Sequence, residues 1–89
     1  MKITVIIPVF NELKTIRAII DKILNLTDLD IQIILVDDFS TDGTRELIEN
    51  ELSKKVDKVV FHSSNQGKGS AIISAKKFIK GDIVIIQDG

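Results

Sequence analysis

Four runs rich in Ile and Val, separated by three stretches whose apolar residues recur at helical spacing, leave this chain few ways to fold. Ile3-Thr4-Val5-Ile6-Ile7 is a β-branched run closed by Pro8, which lacks the amide proton of a ladder and is read as the strand's end. Ile16, Ile19, Ile20, Ile23 and Leu24 then follow the i, i+3, i+4, i+7, i+8 spacing of one helix face, with Lys14, Arg17, Asp21 and Lys22 largely opposite. Asn11 is the expected N-cap of that helix. Ile31–Val36 is a second strand, ending abruptly at Asp37-Asp38. Ser40-Thr41-Asp42-Gly43 carries turn and cap chemistry and leads into a helix that should bury Leu47, Ile48 and Leu52.

Lys58–His62 is the third strand and Asn65–Gly69 a loop. Ala71, Ile72, Ala75, Phe78 and Ile79 form a third helical face, with Gly81 as the expected C-cap, and Asp82–Gln87 is the fourth strand. The order is βαβαβαβ. Three of the strands are continuous apolar runs rather than alternating ones, which predicts cover on both faces. Right-handed helical crossovers then make the expected fold α/β: a doubly wound, mostly parallel half-sheet of Rossmann-like character.

The chain has 89 residues, enough for one small domain that buries roughly 60–68% of its unfolded surface. Twelve Lys and Arg stand against 13 Asp and Glu, a net charge of −1, which argues against a nucleic-acid partner. The absence of Cys excludes a disulfide framework, a thiolate zinc site and a cysteine nucleophile. Aromatic residues are only 4%, so the core must be aliphatic. No apolar run reaches the roughly 20 residues of a membrane span, and Met1–Pro8 has no signal-peptide pattern, so a soluble, cytoplasmic protein is expected.

Ligands of open α/β sheets bind beyond the C-terminal strand ends, where strand order reverses. Those ends carry Pro8-Val9-Phe10-Asn11-Glu12, Asp37-Asp38-Phe39-Ser40, Asn65-Gln66-Gly67-Lys68-Gly69 and Asp88. Carboxylates crowded at one rim call for a cation or a polyhydroxyl ligand, and oxygen donors suit Mg²⁺ or Mn²⁺ rather than zinc. Lys68, between glycines at a helix start, suits a phosphate. Together these residues describe a pocket for a nucleotide with its metal.

Plainer roles stand beside several of these. Asp37 serves equally well as a turn acceptor, Asp42 reads as a cap rather than a ligand, and Asp82 as structural. Phe10 is either a ligand wall or core filler. His62 has no second His and no Cys, which argues against a metal role, and Gly67-Lys68-Gly69 lacks the full phosphate-loop pattern.

Val5–Glu12, Ile34–Thr44, Asn65–Ala71 and Gly81–Asp88, in that order, strongly resemble glycosyltransferase family 2, particularly the polyprenyl-phosphate sugar synthases such as dolichyl-phosphate mannose or glucose synthase. The resemblance covers the whole chain. It implies a GT-A nucleotide-sugar fold that inverts the anomeric carbon with Mg²⁺ or Mn²⁺, using a donor such as GDP-mannose or UDP-glucose and a polyprenyl phosphate as acceptor. By the same resemblance, Pro8, Phe10 and Glu12 line the nucleotide, and Asp38 meets the base with Val36 beside it. Gly67 and Lys68 lie near the phosphates. Asp88 is the first carboxylate of an Asp-x-Asp motif that holds ribose and the metal-bound diphosphate.

Residues 1–89 are then expected to be the N-terminal nucleotide-sugar-binding portion of such an enzyme, ending within Asp-x-Asp at Gly89 and inactive alone. The full-length enzyme would work at the cytoplasmic face of a membrane. An apolar edge at Ile83–Ile86 is expected to drive homo-oligomerisation. Two other readings carry less of the pattern. A non-catalytic nucleotide-binding or assembly module would share the front half. A receiver-type phosphoacceptor would share only the Asp37-Asp38 strand end.

Overall fold

The computed structural model describes residues 1–88. Four strands, β1 (Lys2–Val9), β2 (Asp30–Asp37), β3 (Lys58–Phe61) and β4 (Ile83–Ile86), alternate with helices α1 (Ile16–Leu24), α2 (Thr44–Asn50) and α3 (Lys68–Lys76). A short 3-10 turn, Leu52–Lys54, follows α2 and buries Leu52 completely. Every described strand pair is parallel, and the sheet order is β3-β2-β1-β4. The expected doubly wound half-sheet is what forms.

Alternate residues of the two central strands divide the core. Val5, Ile7, Val9, Ile33 and Leu35 face Ile16 and Ile20 of α1 with Ile48 and Leu52, while Ile6, Ile34 and Val36 face Ala71 and Ala75 of α3. The small alanines let α3 lie close against the sheet. Helices therefore cover both faces of β1 and β2, as continuous apolar strands require. The chain leaves β1 for β2 on one side and returns as β4 on the other, so strand order reverses between β1 and β4. That is where a crevice opens in such sheets.

Several local expectations change. Pro8 does not end β1 but pairs in register with Val36. The Ile6 carbonyl accepts from the Gln87 amide, so residues of that parity turn their polar groups toward β4. β4 stops at Ile86, and the amide proton that Pro8 lacks has no ladder partner to miss. Asn11 is not a helix cap, because α1 begins at Ile16 after a turn closed on the Glu12 carbonyl. The third strand stops one residue before His62, and Lys68 and Gly69 belong to α3 rather than to a loop. The two-sided cover predicted from the apolar runs fails at β4, whose four residues stay 38–46% exposed at the sheet edge.

Gly81 is not a left-handed C-cap. Its place is next to β1, where a Cβ would fall 2.5 Å from Thr4 Oγ1 and 2.7 Å from the Thr4 amide nitrogen. A buried polar network fixes this approach. The Thr4 hydroxyl donates to Gln32 Oε1 and accepts from the Gly81 amide, while Gln32 Nε2 donates to the Phe78 carbonyl and its Oε1 also accepts from Lys80 N. Gln32 thereby ties the end of the α3 segment to β2, and Thr4 ties the start of β4 to β1. Thr4→Val should leave the Gly81 amide unpaired and cost about 1–2 kcal/mol, read from urea unfolding.

Candidate functional site

The loops after β1 and β2 are fastened to each other by alternate side chains of one short segment. Ser40 Oγ accepts from the Asn11 amide (2.9 Å), Asp42 Oδ2 from Leu13 N (3.3 Å) and Thr44 Oγ1 from Glu12 N (3.0 Å). Asn11 Oδ1 returns one bond by accepting from Thr41 N (2.8 Å). Small oxygen-bearing residues at every second position can present acceptors along a neighbouring backbone without crowding it. Asn11 and Phe39 adopt left-handed φ values of 53° and 68° to make this join.

Asp42 also accepts from the Thr44 amide and hydroxyl, but the N-cap position of α2 is Gly43, so Asp42 braces the turn into the helix from one residue outside the expected cap. Asp37 is fully buried, its Oδ2 accepting from Ser40 N at 3.1 Å, so it serves the turn. No partner for its Oδ1 exists among the described residues.

Asp38 is 5% exposed and organises the loop after β3. Its Oδ1 lies 2.8 Å from His62 Nδ1 and accepts from Gln66 N at 2.9 Å, while Oδ2 accepts from Gly67 N at 2.9 Å. Gly67, at φ 92°, makes the bend that turns its amide inward and starts α3. Burial pushes the Asp38 carboxyl up, but the donors from Gln66, His62 and Gly67 together outweigh it and hold the group below the ordinary carboxylate range.

The Thr44 hydroxyl does the same for Asp42, and the Arg17 guanidinium for Glu51. Carboxyls depressed in the folded protein bind fewer protons than in the unfolded chain, so their stabilisation is present above an ordinary pKa of about 4 and lost below it. The urea midpoint should hold steady from neutrality to about pH 5 and fall as pH drops toward 2, with a shallower fall in Asp38→Asn.

At the switch point between β1 and β4 lies a cavity of about 180 Å³, lined by Pro8, Val9, Phe10, Glu12, Asp38, Lys68, Ala71 and Asp88. Six of the eight residues singled out in the sequence, Pro8, Phe10, Glu12, Asp38, Lys68 and Asp88, thus share one wall. The other two do not line it. Val36 is wholly buried against Ile6 and α3, because its side chain points to the sheet face and not to the strand end. Gly67 sits behind Asp38 and acts through its amide.

Lys68 Nζ and Asp88 Oδ1 form an ion pair across the mouth, both side chains more than half exposed. Phe10 leaves 46% of its surface open. Each rim acid has its own internal donor: His62 and two amides for Asp38, Lys68 for Asp88, and the Thr15 hydroxyl for Glu12. The zipper from Ser40 to Thr44 and the clasp of Asp38 on Gln66 and Gly67 were not visible in the sequence as contacts. Their signal was the alternation Ser40-x-Asp42-x-Thr44, with Asn11 in the facing turn.

Among the described residues, no three His, Asp or Glu side chains converge as a ready-made metal cluster. Glu12 and Asp88 do bring oxygen donors to the same cavity. A hard divalent cation held by one or two carboxylates and completed by phosphate oxygens and water fits that donor set.

Residues 4–89 match the family Glycosyl transferase family 2. The dolichol-phosphate mannosyltransferase of Pyrococcus furiosus is 36% identical over 89 residues, which are 99% of this chain and 25% of that protein. A mannosyltransferase from Pyrobaculum calidifontis, solved in complex with GDP-Man and Mn²⁺, superposes with a TM-score of 0.84 at 30% identity, covering 97% of this chain and 26% of that one. Glucosyl-3-phosphoglycerate synthase from Mycobacterium tuberculosis, solved with Mn²⁺, UDP and glucosyl-3-phosphoglycerate, superposes with a TM-score of 0.77 at 32% identity, covering 98% and 33%.

The chain thus spans about a quarter to a third of the length of these proteins. The parallel half-sheet with its rim cavity is the front of a GT-A fold, the architecture of nucleotide-sugar transferases. The chain belongs to glycosyl transferase family 2. That membership displaces the receiver-type reading, and Asp37 and Asp38, 0% and 5% exposed, are not the solvent-open carboxylates a phosphoacceptor needs.

Proposed function

We propose that residues 1–89 form the donor-binding portion of an inverting glycosyltransferase, holding the nucleoside diphosphate end of a nucleotide sugar at the rim cavity. The observation that carries this reading is the gathering of Phe10, Glu12, Asp38, Lys68 and Asp88 around one opening at the strand-order reversal. Phe10 supplies a flat apolar wall for a base. Asp38 has an acceptor site left on Oδ2 for a base N–H, and Glu12 suits ribose hydroxyls.

Lys68, on the first turn of the nine-residue α3, joins its ammonium to the helix's positive end, a pairing that favours a diphosphate. Asp88, with Glu12 beside it, would hold Mg²⁺ or Mn²⁺ against that diphosphate. The cation would neutralise charge on the departing nucleotide. Similarity to the dolichol-phosphate mannosyltransferase supports a polyprenyl phosphate as acceptor; a lipid-linked acceptor of that kind would put the full-length enzyme at the cytoplasmic face of a membrane.

The chain spans a quarter of the length of that mannosyltransferase, and by itself it binds donor without transferring sugar. Calorimetric titration with UDP, GDP, UDP-glucose and GDP-mannose, with and without Mn²⁺, tests the reading. Binding of at least one of these, strengthened by Mn²⁺ and weakened about tenfold in Lys68→Ala, is the expected result. Absence of binding at millimolar nucleotide contradicts it.

The outer edge of β4 has no strand beside it among the described residues, and Ile83, Val84, Ile85 and Ile86 stay exposed. An apolar edge with free ladder groups templates pairing, so the chain self-associates there. Light scattering on a size-exclusion column should give a dimer that Ile85→Lys converts to monomer. A wild-type monomer at high concentration rules out this association.

A further inference from the structure

His62 is the single histidine of the sequence, and its surroundings give it a task. It follows β3, is 5% exposed, and uses both ring nitrogens: Nδ1 lies 2.8 Å from Asp38 Oδ1, and Nε2 lies 2.7 Å from Ser74 Oγ on α3. An ionised carboxylate can only accept, so Nδ1 carries a proton, and in the neutral ring Nε2 is then the acceptor of the Ser74 hydroxyl. This gives a line Ser74–His62–Asp38, part-buried at Ser74 and buried at the other two, running from α3 to the cavity.

The order of groups matches a nucleophilic triad. Ser74, however, sits inside α3, where backbone amides are committed to the helix and leave no pair of donors for an oxyanion. The relay therefore ends in a structural hydroxyl, and its product is the orientation of Asp38.

The consequence for Asp38 follows from counting lone pairs. Oδ1 accepts from His62 Nδ1–H and Gln66 N–H and is filled. Oδ2 accepts only from Gly67 N–H, which leaves it one acceptor site. Fixing Oδ1 therefore decides which oxygen is offered to the cavity, and it stops the carboxylate from turning. Ser74 lies one turn beyond Ala71, which with Lys68 lines the cavity from α3, so the same relay sets the distance between α3 and the Asp38 loop.

We infer that His62, oriented by Ser74, is a positioning residue that presents Asp38 Oδ2 to the base of a bound nucleotide. The inference rests on the donor-site reading above.

Two amide substitutions test it. His62→Asn places a side-chain N–H where Nδ1 stood, so that variant can still donate to Asp38. His62→Gln reaches only toward Ser74. Affinity for UDP and GDP is measured by calorimetry on the wild-type chain, both variants and Ser74→Ala, alongside thermal unfolding of each. His62→Asn should keep affinity near the wild-type value, whereas His62→Gln should lose about tenfold while unfolding at a similar temperature.

Equal affinity in the two variants, with the wild type binding, overturns the positioning role and leaves the donor site standing. A wild-type chain that binds neither nucleotide removes the donor site and this inference with it. Nitrogen-15 spectra of the imidazole provide a ligand-free check: an Nδ1–H tautomer is expected, and an Nε2–H tautomer contradicts the relay.

Discussion

Asp38→Ala should lower the free energy of unfolding by about 3–5 kcal/mol, and it should abolish nucleotide binding. The size follows from what the substitution strands. His62 Nδ1–H, Gln66 N–H and Gly67 N–H all end on this carboxylate, and Asp38 and His62 are each 5% exposed. A buried donor left without an acceptor costs about 1–3 kcal/mol; His62 Nδ1–H is such a donor, and two part-buried amides lose their acceptor with it. In a chain of this length, that is a fall in Tm of roughly 15 °C or more, measured by calorimetry or circular dichroism.

Asp38→Asn keeps one oxygen as an acceptor and should lose less stability, yet its amide N–H₂ meets donors and cannot serve a base N–H. Affinity measured below the melting range of Asp38→Asn thus separates loss of the site from loss of the fold. Unchanged nucleotide affinity in that variant would remove Asp38 from the site.

The second large effect is expected far from the cavity. Gly81→Ala places a Cβ 2.5 Å from Thr4 Oγ1, 2.7 Å from Thr4 N and 2.9 Å from the Lys2 carbonyl oxygen. Two of these atoms belong to the backbone of β1, which is paired on both sides and cannot yield. Overpacking of this kind costs roughly 1–3 kcal/mol and sometimes more, and here it also pushes β4 off β1.

Loss of β4 would carry Asp88 away from Lys68, so Gly81→Ala should weaken nucleotide binding although it touches no ligand. Hydrogen exchange of the Ile83–Ile86 amides should rise well above the rest of the sheet. A variant with wild-type stability and protected β4 amides would contradict the close approach.

The periodicities of the sequence were enough to place all seven elements and their order, because burial on two faces leaves the parallel strands β1 and β2 almost no polar positions. Pro8 misled because its cost depends on which neighbour its nitrogen faces, and that is a property of sheet order rather than of the local run. Gly81 misled in the same way: a cap and a close approach both ask for glycine, and only the packing against Thr4 distinguishes them.

At the site, strand-end positions identified Phe10, Glu12, Asp38, Lys68 and Asp88. Val36 was misplaced because a side chain one residue short of the strand end still points into the core. His62 looked solitary in the sequence. Its partners, Asp38 and Ser74, are 24 residues before it and 12 after it, and they meet it only because β3 pairs with β2 and α3 folds back against the sheet.

Amide shifts of the nitrogen-15-labelled chain, followed during titration with UDP or GDP in the presence of Mg²⁺, give the most direct reading of where a nucleotide sits. Perturbations should gather on Phe10, Asn11, Glu12, Asp38, Gly67, Lys68 and Asp88, on four different segments of the chain. Shifts confined instead to the opposite end of the sheet, around Lys2, Lys58 and Lys80, or no shifts at millimolar nucleotide, would contradict a donor site at this rim.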